Sequence, residues 1–386
     1  LRGRKGVSYY QVDVFGREAG KVDSYKDVLA QPGQNLTTTL DIDLQLFIEN
    51  IFEGKKGAVI VSKPNTGEIL SYMSSPDYNP DLFTGMVSSN DWQSIVSDPD
   101  RPLLNRVANG MYPPGSIYKM VVAIELLEKK YIDENWNVFC KGEYEFYDRV
   151  HKCWDKNGHG AVDVRSAIAQ SCDVFFYDAI QSVSLNDLET RSKQFLHGIP
   201  TKIDLPSEMK GRVPNRDFMN KLYGKYGWST GAMLNISIGQ GEILVTPIQM
   251  MAYTNLLATK GLARNLHIVS SEKQNEIVVS TISDRTWDII HDSMHMVVND
   301  KKGTGKLSNP NISGVNVYGK TGTAENPHGE THAWYIGFAN NNDGDMVSVV
   351  VLVENGGGGG SVASPIAGKI FNEFYKNINS NFANVR

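Results

Sequence analysis

Ala58-Val-Ile-Val-Ser-Lys-Pro-Asn-Thr-Gly-Glu-Ile-Leu-Ser-Tyr-Met73 reads as two strands around a tight turn, with Pro64 and Gly67 where a turn wants one fixed and one free φ. A second hairpin is signalled far downstream by Ala333-Trp-Tyr-Ile-Gly-Phe338 and Met346-Val-Ser-Val-Val-Val-Leu-Val353, separated by the polar run Asn340 to Asp345. Val315-Asn-Val-Tyr-Gly-Lys-Thr-Gly-Thr-Ala324 alternates as a further strand. Before the first hairpin, Leu44, Leu46, Phe47, Ile51 and Phe52 recur at helical spacing. After the last strand, Ser364 to Tyr375 has Pro365 just inside its start and apolar Ile366, Ile370, Phe371 and Phe374, which predicts a closing helix. Strands therefore gather at the two ends of a domain whose middle is helical. A mixed sheet flanked by terminal helices and carrying a mostly helical insertion satisfies that order, an α+β fold.

Residues 1–35 are Gly-dotted and polar, and Val7 to Val14 alternates like a strand or hairpin. They are expected to be the remnant of a preceding domain, with the main domain at 36–386 and its helical subdomain at about 75–310. The chain opens on Leu1 with Arg2, Arg4 and Lys5 close behind, so it is expected to be a piece of a longer protein. No stretch approaches the ~20 apolar residues of a membrane-spanning helix, and the run Gly356 to Gly360 predicts a mobile loop. At 386 residues and 41% hydrophobic, the chain can fill a sizeable core. Its net charge of −5, with no stripe of Lys and Arg among aromatics, argues against nucleic acid as a partner.

Three motifs carry chemistry: Ser116-Ile-Tyr-Lys119, Ser171-Cys-Asp173 and Lys320-Thr-Gly-Thr323. Ser-x-x-Lys also occurs at Ser207 to Lys210 and Ser270 to Lys273, so setting must select. Pro113-Pro-Gly115 stops regular structure just before Ser116, and Lys119 falls one turn later on a helix apolar on nearly every face. A lysine there needs a reason, and burial disfavours its protonated form, so it can serve as a base for the serine hydroxyl. Around Cys172, Ser171 and Asp173 turn one way and the thiol the other, which makes Ser171 a hydroxyl relay. Gly322 allows close approach of a ligand to the last strand. A peptide added along that strand would place its carboxylate near Lys320, Thr321 and Thr323, with the N–H groups of Ser116 and Thr323 forming an oxyanion hole. A nucleophile, a base, a relay and a carboxylate grip are the parts of serine acyl transfer.

Cys140, Cys153, His159 and Cys172 are spaced Cys-x12-Cys-x5-His-x12-Cys and use all three cysteines of the chain. Three thiolates and an imidazole suit a closed, structural zinc site. A disulfide with one thiol left over, or three buried apolar cysteines, remain the rival readings. His151, His328 and His332 are expected to be ordinary surface or core histidines.

Over roughly residues 1 to 375 the sequence resembles the transpeptidase module of a class B penicillin-binding protein. The resemblance rests on Pro76-Asp-Tyr-Asn-Pro-Asp-Leu-Phe83, Tyr112-Pro-Pro-Gly-Ser116, Gly239-Gln-Gly241, Val245-Thr-Pro-Ile-Gln249 and Lys320 to Glu325. Asp173 in place of the commoner Asn, and Cys153-Trp with Gly158-His-Gly160, resemble the elongation-specific branch. The resemblance implies an antiparallel sheet of the penicillin-binding-protein and serine β-lactamase type. It also implies a D,D-transpeptidase that cross-links stem peptides ending in D-Ala-D-Ala and is acylated by β-lactams. Ser116, Lys119, Ser171, Asp173 and Lys320 would be catalytic, and Thr321, Gly322 and Thr323 would bind substrate, with no catalytic cofactor. Relatives with a metal at corresponding positions support zinc on Cys140, Cys153, His159 and Cys172. An inner-membrane anchor upstream, an extracytoplasmic domain, and a membrane glycosyltransferase with elongation-complex proteins as partners are implied as well. The alternatives are a D,D-carboxypeptidase, a serine β-lactamase, or a non-enzymatic β-lactam sensor or cell-wall scaffold.

Overall fold

Two hairpins more than 250 residues apart in sequence meet in one sheet because each is too apolar to be left facing water. The computed structural model describes residues 2–22, 24–229, 231–270, 275–279, 281–327 and 329–383. Strands β1 (Gly57–Ser62) and β2 (Ile69–Ser75) form the first hairpin, β3 (Asn316–Ala324) the late strand, and β4 (His332–Asn340) with β5 (Met346–Val353) the second hairpin. Their order is β3-β4-β5-β1-β2, with every neighbouring pair antiparallel. The sheet is therefore not mixed. The long insertion returns to the free edge, where β3 can join only as the antiparallel partner of β4.

β1 is buried at every residue, and β4 and β5 at nearly every one, so both faces of the sheet are covered. Seven helices position the site: α1 (Ile42–Phe52), α2 (Lys119–Glu128), α3 (Val164–Ala169), α4 (Asp173–Ala179), α5 (Pro247–Ala258), α6 (Asp284–Asn299) and α7 (Ser364–Ala383). Opposite faces are marked by two buried serines. Ser71, which shares a face with Val61, donates to Gln45 of α1 at 2.7 Å. Ser62, the next residue on β1, accepts from Asn255 of α5 at 3.0 Å. α5 is buried along its whole length, as a helix apolar all round must be. It begins with Thr246 and Gln249 in a reciprocal capping box and Pro247 in the first turn. Gln249 also donates to the carbonyls of Leu196, Ile199 and Lys210, pinning the preceding loop.

The insertion is less purely helical than its pattern suggests. It contains the paired short strands Val138–Cys140 with Gly160–Val162, Glu143–Phe146 with Arg149–Lys152, and Leu262–Arg264 with Glu276–Val278. Runs of three or four residues carry too few periods to be read. Leu1–Thr38 forms a separate compact unit, in which Tyr10–Val12, within the alternating run Val7 to Val14, pairs with Glu18–Lys21 beyond it. No helix among the described residues is long and apolar enough to cross a membrane.

His197 is fully buried, its ring 4.8 Å from that of Tyr253, and neither ring nitrogen has a hydrogen-bond partner. Burial lowers its pKa from 6.5 to about 3. The unfolded chain thus binds the extra proton first, and stability is lost as pH falls from about 6.5 toward 3. Equilibrium unfolding should show about 2 kcal/mol less stability from this group at pH 5 than at pH 8. His197→Phe should flatten that slope, and an unchanged slope would count against it.

Candidate active site

Pro113 and Pro114 cannot donate backbone hydrogen bonds, so the chain before Ser116 is held from outside. Tyr112 exchanges backbone hydrogen bonds with Val245 at 2.9 Å each way, the Trp334 indole donates to the Pro113 carbonyl at 3.1 Å, and the Gly115 N–H donates to the Gly239 carbonyl at 2.9 Å. The phenol of Tyr112 and the guanidinium of Arg106 both donate to Glu354, at 2.5 and 3.0 Å, tying the segment to the end of β5. Gly115 takes φ +57°, and a Cβ there would lie 2.7 Å from the carbonyl oxygen of Thr323. Ser116 follows inside a 3-10 turn, Gly115–Tyr118, that runs straight into α2. In such a turn residues i and i+3 eclipse, so Ser116 and Lys119 share a face.

The Gly239-Gln-Gly241 motif is the other half of this grip. Gly239 has φ +74°, and a Cβ on it would fall 2.1 Å from the Gly115 carbonyl oxygen. Gln240 donates to the Thr323 carbonyl at 3.3 Å. Gly239→Ala therefore imposes both backbone strain of about 1–2 kcal/mol and a shift of the Ser116 turn. Acylation by a penicillin should slow on the order of 100-fold, measured by stopped-flow quenching, and an unchanged rate would remove this contact from the site.

Lys119 is fully buried, and its ammonium donates to Asp173 Oδ1 at 2.7 Å, to the Ser171 carbonyl at 2.9 Å and to Ser171 Oγ at 3.4 Å. No hydrogen bond joins it to Ser116 among the described residues; a buried cation takes the carboxylate first. Lys320, also fully buried, donates to Ser171 Oγ at 2.9 Å and to the Thr321 carbonyl at 2.8 Å. Burial, and next the charge on Lys119, hold its pKa well below the usual lysine range, against an opposing pull from Asp173. Two buried lysines thus face one carboxylate, and Lys320 is the amine biased toward neutrality. Ser171 Oγ stands between the two amines.

Ser171 adopts φ +57° at the junction between α3 and α4, and Cys172 behind it is fully buried. The turn sends Ser171 and Asp173 into the cavity and the thiol away from it. Asp173 is further held by the Trp154 N–H, which donates to Oδ2 at 3.0 Å, while its own N–H donates to Cys153 Sγ at 3.4 Å.

β3 is the sheet's edge strand. Because the Thr323 carbonyl accepts from Gln240 rather than from β4, the Thr323 N–H also leaves the strand on its free side. Thr321 and Thr323, two residues apart, share a face. With Ser116, Ser171 and Asp173 they line one cavity of about 680 Å³. Gly322 sits beneath, where a Cβ would meet Ile117 and Trp334 at 3.0–3.1 Å. The same cavity takes in Lys152, Trp154, Tyr177, Gln240, Thr304 and Glu325, which the motif reading did not single out. Thr304 bonds Thr321 hydroxyl to hydroxyl at 2.7 Å. Only Trp154, Gln240 and Glu325 lay within motifs; nothing in the sequence marks Thr304 or Tyr177. The glycine run is partly ordered rather than a free loop, since Gly359–Ala363 forms a helical turn and the Gly359 N–H donates to Thr323 Oγ1 at 3.3 Å. Ser207 and Lys210 are exposed, as is Ser270, whereas Lys273 lies outside the described residues. His151 faces a different cavity, His332 accepts from the Asn355 N–H, and His328 lies outside the described residues.

The ligand atoms of Cys140, Cys153, His159 and Cys172 lie within 4.8 Å of one another. All three cysteines are buried free thiols. His159 Nδ1 points at Cys140 Sγ and Cys153 Sγ, at 3.5 and 3.6 Å. A hydrogen bond from Cys172, then those from His159 and the Asp173 N–H, hold the Cys153 thiol well below its usual pKa despite burial. A thiolate and an imidazole nitrogen converging among buried cysteines fit a tetrahedral soft cation.

A family model described as the penicillin binding protein transpeptidase domain matches residues 57–372. Among similar proteins, the peptidoglycan D,D-transpeptidase MrdA of Escherichia coli K12 is 32% identical over 316 residues, covering 79% of this chain and 49% of that protein. That of Haemophilus influenzae is 29% identical over 97% of this chain and 63% of its own length. A solved structure of the Helicobacter pylori penicillin-binding protein PBP2 in complex with MreC superimposes with a TM-score of 0.82 at 32% identity, over 95% of this chain and 69% of that one. The chain spans about half the length of the E. coli relative.

Proposed function

Because the chain belongs to the penicillin-binding-protein transpeptidase domain family, we propose that it is the catalytic part of a peptidoglycan D,D-transpeptidase of the elongation-specific, PBP2 type. One observation carries the reading: Ser116, Ser171, Asp173, Thr321 and Thr323 open into a single cavity beside a free strand edge, with two buried lysines joined through Ser171. Transpeptidases of this family use no catalytic cofactor, and the residues here supply every proton transfer.

A donor stem peptide adds to the free edge of β3, with its terminal D-Ala carboxylate held by the hydroxyls of Thr321 and Thr323 and by Lys320. Ser116 Oγ attacks the carbonyl of the penultimate D-Ala. The oxyanion forms between the N–H groups of Ser116 and Thr323. Lys320, biased toward neutrality, is linked through Ser171 Oγ to Lys119, so a proton shifted along that relay frees Lys119 to take the serine proton while Asp173 holds it in place. Ser171, hydrogen-bonded to both amines, passes a proton to the leaving D-Ala. An acceptor amine then attacks the acyl group on Ser116, while a β-lactam, mimicking the donor, leaves Ser116 acylated.

A structural zinc on Cys140, Cys153, His159 and Cys172 belongs to the same reading. Four protein ligands would close its coordination, so its contribution is to hold the turn at Ser171 and Asp173 from behind. MreC is the partner named for the H. pylori relative. A comparable elongation-complex protein, a membrane glycosyltransferase and an extracytoplasmic, membrane-associated location are proposed here with it.

The test is acyl transfer from a donor ending in D-Ala-D-Ala to an added amine, followed by mass spectrometry. The amide product supports a transpeptidase. Release of the free acid alone would favour a carboxypeptidase, rapid hydrolysis of penicillin a β-lactamase, and stable acylation without donor turnover a sensor.

A further inference from the structure

We propose that Lys152 and Glu325 form a subsite for a stem-peptide side chain ending in an ammonium and a carboxylate on one carbon, the terminus of a diaminopimelate-type residue. The inference rests on the acyl-transfer reading and adds the substrate's third residue to it. Both side chains line the cavity that holds Ser116. They come from different walls: Lys152 ends the short strand Arg149–Lys152, and Glu325 follows the last residue of β3.

Strand alternation fixes which part of the substrate reaches them. Thr321 and Thr323 share one face of β3, a step of about 6.6–6.8 Å along the strand, and Glu325, two residues further on and just past the strand's end, lines the same cavity. With the terminal carboxylate at Thr321 and Thr323 and the scissile carbonyl opposite Ser116, the residue before the penultimate D-Ala passes Glu325. That residue is the one that bears the cross-linking diamino side chain.

Neither charge has another task. Both are exposed, and neither has an ion-pair partner among the described residues. Tyr177 lines the cavity with them, and its hydroxyl donates to the Lys152 carbonyl at 3.4 Å. An arm bearing both charges satisfies a cation on one wall and an anion on the other. An arm ending in an ammonium alone pairs with Glu325 but meets an uncompensated Lys152.

The probes are three penicillins whose acyl arms have equal length and end in an ammonium-carboxylate carbon, an ammonium alone, or a methyl group. Second-order acylation rates are measured by intact-protein mass spectrometry. The wild-type chain should prefer the doubly charged arm roughly tenfold over either of the others, as two solvent-exposed ion pairs permit. Glu325→Gln and Lys152→Gln should each reduce that ratio, and the exchanged pair K152E/E325K should recover part of it. Equal rates with the doubly charged and ammonium arms, or a preference that survives both substitutions, overturns the subsite while leaving acyl transfer standing. Failure of all three to acylate the chain overturns acyl transfer, and the subsite with it.

Discussion

Ser116→Ala should abolish covalent labelling by a fluorescent penicillin and leave the fold unchanged. The side chain of Ser116 makes no hydrogen bond among the described residues and faces the cavity, so removing Oγ leaves no buried group unsatisfied. Thermal unfolding should agree with wild type within about 0.5 kcal/mol, while the acylation rate falls on the order of a millionfold, as in other serine-nucleophile knockouts. The lysines behave differently. Lys119→Met strands the Asp173 carboxylate without its ammonium partner, at a cost of roughly 3–5 kcal/mol, so lost labelling there is mixed with lost stability. Lys320→Met removes an amine already biased toward neutrality and should separate rate from fold more cleanly. Acylation by the wild type should also weaken toward low pH, because protonation of Lys320, whose pKa burial lowers, closes the relay that frees the base. Persistent labelling of Ser116→Ala, or a labelled peptide that maps to Ser171, would sink the assignment.

The parts of this site that lie close in sequence were legible and the long-range ones were not. Ser116 and Lys119 share a face because they lie three positions apart in a helical turn, and any helix start with that spacing shows it. That Lys119 turns to Asp173, and Lys320 to Ser171, depends on partners 54 and 149 residues away and on competition among buried charges. Alternation located β3, but its place at a free edge came only with the order of the sheet. The close approach of Gly239 to Gly115 left no local trace beyond the glycines themselves. Gly356 to Gly360 looked mobile because glycine has no preference of its own; its last members are ordered by Thr323.

The four converging ligands predict close to one zinc per chain, and losing it should cost about as much stability as the largest single core truncations. Zinc sites contribute about 10–16 kcal/mol in small peptides that have no other core. This domain has a large one, so Cys153→Ser with loss of the metal should cost roughly 5 kcal/mol, read as a lower unfolding temperature. Asp173 gives the experiment a second readout. Its N–H donates to Cys153 Sγ and its carboxylate holds Lys119, so a disordered metal cluster releases the turn that carries Ser171. Acylation should slow together with the drop in stability, and a chelator applied to the wild type should reproduce both. Thiol titration after denaturation separates the rivals: one reactive thiol with no metal means a disulfide, and three thiols with no metal mean simple core packing. Metal-free protein that unfolds at the wild-type temperature and acylates at the wild-type rate would leave these four residues as packing alone. Zinc released in step with all three thiols would mean that one cluster supports both the fold and the placement of Asp173.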